Sequence, residues 1–254
     1  MDLNQIANWI RQSPSLLDGT DVIAPEFPDT LYDGDNLNKE YQGNHRLGFI
    51  YQHVCSQLFA SSAQYQLLAE EIQLNNEHKQ TLGAIDFIVD NQATRHIEQW
   101  EVAVKFYLLH NSLWYGPNSQ DRLDKKLERM LNHQLTMCQT SLFQETYPDW
   151  NPVVPKLLMQ GRLYINPFRP ELIPEQCLDI PINLERVKGF WCFKSEVDKI
   201  ADSLYPLQKW QWITGASDYH EPLGNIGDRF VHAQTKDGTF WFVVPDEWPK
   251  KTKK

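Results

Sequence analysis

The chain has 254 residues, 41% of them hydrophobic and 22% charged, enough to bury a sizeable core in one large domain or in a core with an appended module. A formal net charge of −9 excludes a protein that coats nucleic acid through overall basicity, although a local basic groove is compatible with it. Cys55, Cys138, Cys177 and Cys192 show neither CxxC nor Cys/His ligand spacing, so free thiols in a reducing compartment are expected and a structural zinc site is not.

The opening "MDLNQIANWIRQSPSLL" is broken by polar residues and lacks the apolar core of a signal peptide. No stretch reaches the length needed to cross a bilayer, so a cytoplasmic protein with no membrane partner is expected. Residues 1–45 begin with a short amphipathic helix, with Leu3, Ile6 and Ile10 on one side, and continue through the Pro- and Asp-rich "APEFPDTLYDGDN" as an arm over the core. From Arg46 to Ala60, Leu47, Ile50, Tyr51, Val54 and Leu58 recur at helical spacing and form a buried stripe.

"QYQLLAEEIQL", "LGAIDFIV" and "EQWEVAVKFYLL" follow, separated by polar connections. Their β-branched and aromatic content predicts three consecutive antiparallel strands. "GPNSQDRLDKKLERMLNHQLTMC" starts a second helix, striped by Leu123, Leu127, Met130, Leu131 and Leu135, and "KLLMQGRLYINPF" reads as a fourth strand. The expected fold is therefore α/β or α+β with a mixed sheet, comprising an arm over 1–45, a core over 46–168 and a C-terminal α+β extension over 169–254. In that extension "VKGFWCF", "KWQWITGA" and "TFWFVVPDEWP" look like strands, with a helix near 195–204. The basic "PKKTKK" that closes the chain reads as a solvated tail.

Polar residues in the central hairpin carry the candidate chemistry. Side chains alternate across a strand, which puts Gln99, Glu101, Ala103 and Lys105 on one face. A hairpin folded symmetrically about Ala93 and Thr94 sets Asp86 directly opposite Glu101, with Cβ atoms roughly 5 Å apart. Two carboxylates so close repel unless a proton or cation lies between them. A hard divalent ion, Mg or Mn, resolves the conflict, and the Val102 carbonyl offers it a further oxygen. Such an ion polarises a phosphodiester, and the Lys105 ammonium would offset developing negative charge. The competing interpretation is an ordinary acidic face on a solvated sheet.

"GAIDFIVDN…WEVAVK" resembles the Gly-Glu-Ile-Asp…Val-Glu-Val-Lys pattern of the PD-(D/E)XK, or restriction-endonuclease-like, nucleases, whose core has the order αβββαβ. More closely, "LGFIYQ", "TLGAIDF", "WEVAVKFYL" and "GPNSQDRLDKKLERMLNHQL" are similar to a bacterial domain-of-unknown-function family grouped with these nucleases. The resemblance implies Asp86 and Glu101 as catalytic metal ligands, Gln52 at the position of a first-helix glutamate, and Lys105 as the catalytic lysine. The superfamily lysine falls at Ala103 in this chain, and Lys105 begins about 13 Å along the strand from Glu101 instead of about 7 Å. Gln134 is similar to a glutamine that some members place near substrate.

Arg122, Lys125 and Arg129, with Lys126 beside them, are candidate phosphate contacts on the second helix, although Asp121, Asp124 and Glu128 are interleaved and can neutralise them. Trp191, Trp210, Trp212, Trp241 and Trp248 offer surfaces for base stacking, against the ordinary role of filling a core. The expected function is a divalent-metal-dependent nuclease acting on DNA or RNA. The alternative is a catalytically degenerate member of the same fold that binds nucleic acid or a protein partner.

Overall fold

The computed structural model describes residues 1–28, 41–75, 78, 80–224 and 226–249. Most of the Pro- and Asp-rich connection and the tail after Pro249 lie outside the described residues, as do the arm and tail expectations resting on them. The described chain is mixed α+β, and its contacts divide it into two compact units, Met1–Val104 with Leu127–Gln160 and Lys105–Lys126 with Gly161–Lys254. No helix among the described residues is long and apolar enough to cross a membrane.

The first unit opens with α1 (Leu3–Gln12), where the Asp2 carboxylate accepts from the backbone N–H groups of Asn4 and Gln5 and so caps the helix. Leu3, Ile6 and Ile10 are buried, as their spacing predicts. α2 (Leu47–Ala60) buries the expected stripe, with Tyr51 and Leu58 fully covered. β1 (Tyr65–Asn75), β2 (Thr81–Asn91) and β3 (His96–His110) are the three predicted antiparallel strands. β1 pairs with β2 from Tyr65↔Asn91 to Asn75↔Thr81, and β2 pairs with β3 from Asn91↔His96 to Phe87↔Trp100.

Phe59 of α2 meets Phe87 at 5.5 Å and Trp100 at 5.4 Å between ring centroids. A second apolar cluster joins Ile72, Ile85 and Ile88 to Met137, Cys138 and Phe143. The last three come from a 3-10 segment at Gln134–Gln139 and from the short helix after it, Ser141–Thr146. Leu135, expected on the amphipathic helix, lies in this 3-10 segment because the helix ends at Asn132.

The second unit contains the tip of β3 and β4 (Leu113–Tyr115), joined by a two-residue turn. Asn111 and Ser112 both take positive φ there, 50° and 59°, which matches the twist of a tight hairpin. α3 (Leu123–Asn132) starts in this unit; α4 (Ser141–Thr146) and the first part of β5 (Val153–Ile165) belong to the other. β6 (Gln176–Cys177) and β7 (Ile180–Pro181) form a small hairpin.

β8 (Val187–Phe193) pairs parallel with β5 at Leu163↔Val187. β9 (Tyr205–Pro206), α5 (Gln211–Thr214), β10 (Val231–Gln234) and β11 (Phe240–Val244) complete the chain. β11 lies parallel to β8 and antiparallel to β10, which pairs in turn with β9.

"VKGFWCF" is a strand as expected, "TFWFVVPDEWP" is one only over Phe240–Val244, and "KWQWITGA" is not one. Its Trp212 and Ile213 are buried on the single turn of α5, which Gly215 ends at φ 85°. Trp212 faces His232 at 4.8 Å and Phe242 at 5.2 Å, so a ring-packing site, not a period of two, places these residues. The helix expected near 195–204 is a 3-10 segment, Lys194–Lys199. Trp191, Trp212, Trp241 and Trp248 are buried, and Trp210 is half-buried.

Candidate acidic site in the central hairpin

The β2–β3 ladder has the register expected from a fold about Ala93 and Thr94, and its last pair is Phe87↔Trp100. One further step in that register sets Asp86 across from Glu101. The ladder stops where the Asp86 carboxylate takes a β3 backbone donor, Val102 N–H to Oδ2, at 2.9 Å. Val102 thus meets Asp86 through its amide.

Glu101 is fully buried, and both of its oxygens are engaged. Gln99 Nε2 donates to Oε1 at 3.0 Å, and Gln134 Nε2 donates to Oε2 at 3.0 Å. Gln99 Nε2 also donates to the Gln134 carbonyl at 2.8 Å, which ties the strand to the 3-10 segment. The Cys138 thiol is pushed up to about 12, first by burial and then by the negative charge of Glu101. Asp86 lends a smaller upward push to Tyr51 and Cys55 of α2, whose ionisation burial already suppresses. Gln52, the next residue after Tyr51, is half-buried.

The structure therefore brings Asp86 to Val102 and Glu101 to Gln134, two links between expected site residues. Gln99 is a participant that the sequence reading did not single out, although it shares the Glu101 face two residues earlier. Its Oε1 is buried with no hydrogen-bond partner among the described residues, an uncommon state for a buried acceptor. Carboxylate and amide oxygens are the donor type that Mg or Mn takes. Among the described residues, no group of three or more His, Cys, Asp or Glu side chains is placed to hold a metal ion.

The remaining expected residues have other partners. Lys105 Nζ lies 2.7 Å from Asp121 Oδ2, and Tyr107 Oη donates to Asp121 Oδ1 at 3.3 Å. The Arg122 guanidinium is forked onto Asp124, with Nε 2.9 Å from Oδ1. Lys125 and Arg129 are exposed on α3, four residues apart as the sequence implies.

Comparison with curated proteins and with solved structures returns no match. A family model described as a domain of unknown function, DUF1853, matches residues 7–236, and the chain belongs to that family.

Proposed function

We propose that the chain is a divalent-metal-dependent phosphodiesterase of restriction-endonuclease-like fold, acting on DNA or RNA. The observation that carries this reading is a buried Glu101 with an unpartnered amide oxygen beside it, on a strand whose register with β2, if extended one pair past Phe87↔Trp100, would reach Asp86. The order α2, β1, β2, β3, α3, β5, with β4 inserted before α3 and α4 after it, supports it as well.

Asp86 and Glu101, with the Val102 carbonyl, Gln99 and Gln52, are the residues that would hold Mg or Mn. Bound there, the ion supplies Lewis-acid polarisation of the phosphodiester and a more acidic water. The chain's own groups prepare the site. Gln99 and Gln134 hold the two Glu101 oxygens, and the Val102 N–H fixes one oxygen of Asp86.

One observation favours a second reading, a degenerate nuclease fold that binds nucleic acid or a protein partner without turnover. Lys105 is committed to Asp121, and the nearer position on its face is Ala103.

Thermal unfolding in EDTA, Mg and Mn, followed by incubation with labelled single- and double-stranded DNA and RNA, separates the readings. For the nuclease, metal raises the Tm of the wild type but not of Asp86→Asn, and Glu101→Gln abolishes cleavage. Metal-independent binding without cleavage establishes the second reading. A Tm that no divalent ion moves refutes the metal site.

A further inference from the structure

The second unit holds a cleft of about 730 Å³, within the range of small-molecule sites. His110, Tyr115 and Trp248 line it as a group of rings in mutual contact. His110 lies 5.7 Å from Trp248 and 6.4 Å from Tyr115, and Tyr115 lies 5.8 Å from Trp248, between centroids. The group is braced from behind by Trp191, 5.0 Å from Trp248. Trp248 is only 6% exposed, and its indole N–H has no hydrogen-bond partner among the described residues.

Charge on the lining is divided. Arg122 stands 5.7 Å from the Tyr115 ring centroid, with its charge answered by Asp124. Lys125 is exposed, lines the same cleft and has no ionic partner among the described residues. Two carboxylates also line it: Glu247, exposed, and Asp246, exposed and accepting from the Ser195 N–H at 3.0 Å and hydroxyl at 2.7 Å.

These features select among ligand chemistries. A quaternary or methylated ammonium suits an aromatic box, but here it would meet Arg122 at Tyr115 and the uncompensated Lys125. A purely apolar ligand would desolvate Lys125 and Glu247 without return. A nucleoside phosphate answers all three features: a π-face for the rings, N–H donors on the base edge for Glu247, and a phosphate for Lys125.

We propose that this cleft binds a nucleoside phosphate unit, with the base against Tyr115, His110 and Trp248 and the phosphate on Lys125. The unit is either a free nucleotide or one residue of a single strand. Only the assignment to a strand rests on the proposed nuclease function.

Full-length protein in EDTA is titrated with a fluorescein-labelled ten-nucleotide single strand and, separately, with AMP. A strand carrying 5-iodouracil is also photo-crosslinked and the modified peptide identified. The wild type binds at least one probe. Lys125→Glu, at an exposed position, weakens that binding at least five-fold, and for the strand it lowers the slope of log affinity against log salt by about 0.7. Crosslinks fall on the peptides carrying Tyr115, His110 or Trp248. Binding of the strand with AMP inert assigns the unit to nucleic acid, and AMP binding at the same site assigns a free nucleotide. No binding of either probe, an unchanged affinity in Lys125→Glu, or crosslinks confined to other peptides overturns the cleft. Cleavage by the wild type and its loss in Glu101→Gln are scored separately, so the nuclease reading stands or falls independently of this result.

Discussion

The side-chain amide of Gln134 donates to Glu101 Oε2 at 3.0 Å, so one residue of a 3-10 segment holds half of a fully buried carboxylate. Removing the donor leaves a charged acceptor short of a partner in low dielectric. Gln134→Leu is expected to lose about 1–3 kcal/mol, read by urea unfolding at pH 7.5 in EDTA. Gln134→Glu sets a second carboxylate against Glu101 and is also destabilised at that pH. Acidification lets the two carboxylates share a proton and restores a donor. Its deficit therefore shrinks as pH falls toward 5, while that of Gln134→Leu does not.

Gly161 has φ 146°, and a Cβ placed on it would lie 1.6 Å from the Lys105 carbonyl oxygen. The obstacle is backbone, so no rotamer change relieves it. Gly161→Ala is expected to cost about 3–5 kcal/mol or to abolish soluble expression. A Tm within 2 °C of wild type, where about 1 kcal/mol moves a chain of this size by about 2–4 °C, would contradict the placement.

His232 is buried, with its ring stacked 4.0 Å from Phe242 and Nε2 2.9 Å from Tyr164 Oη. Burial, then the charges of Arg162 and Lys209, hold its pKa well below the ordinary 6.5. Above pH 6.5 the imidazole is neutral in both folded and unfolded chains and adds no pH dependence. Below it the unfolded chain binds a proton that the folded chain refuses, so stability falls. His232→Phe should remove up to about 1.4 kcal/mol per pH unit of that slope between pH 6 and 5, measured by denaturant unfolding across the range. Equal slopes in the two proteins would show that His232 is accessible to protons in the fold.

Glu196 behaves in the opposite sense. Burial raises its pKa, but hydrogen bonds from Arg169, the Phe193 N–H and Asn166 outweigh that and bring it to about 2, from an ordinary 4.5. A depressed carboxyl pKa stabilises the fold fully above 4.5, and the contribution is lost as pH falls from there toward 2. Glu196→Gln is therefore expected to be less stable than wild type at pH 7, with the gap closing between pH 4.5 and 2. A gap independent of pH would assign Glu196 a packing role only.

The central hairpin shows how much of the site was legible. Its two strands are adjacent in sequence, and the turn over residues 92–95 sets their register. That register could be read from "IDFIVDNQATRHIEQWE", and the ladder follows it as far as Phe87↔Trp100. The donors on Glu101 were less accessible. Gln134 lies 33 residues away, and Gln99 reaches Glu101 along the strand by a side-chain conformation that periodicity does not specify. Lys105 was read as part of the acidic site because its face matched. Its link to Asp121, 16 residues on, depends on how the chain returns through β4 and the turn before α3.

Sequence alone determined the elements whose signal is local: the stripe of α2, the turn between β2 and β3, and the apolar spacing of α1. The two helical patterns follow from backbone geometry repeating every 3.6 residues. Tertiary structure decided which polar groups share a buried volume, which cations are neutralised, and that Trp212 sits on a helical turn and not in a strand. Those outcomes depend on contacts between residues far apart in the chain, where packing and desolvation outweigh local preference.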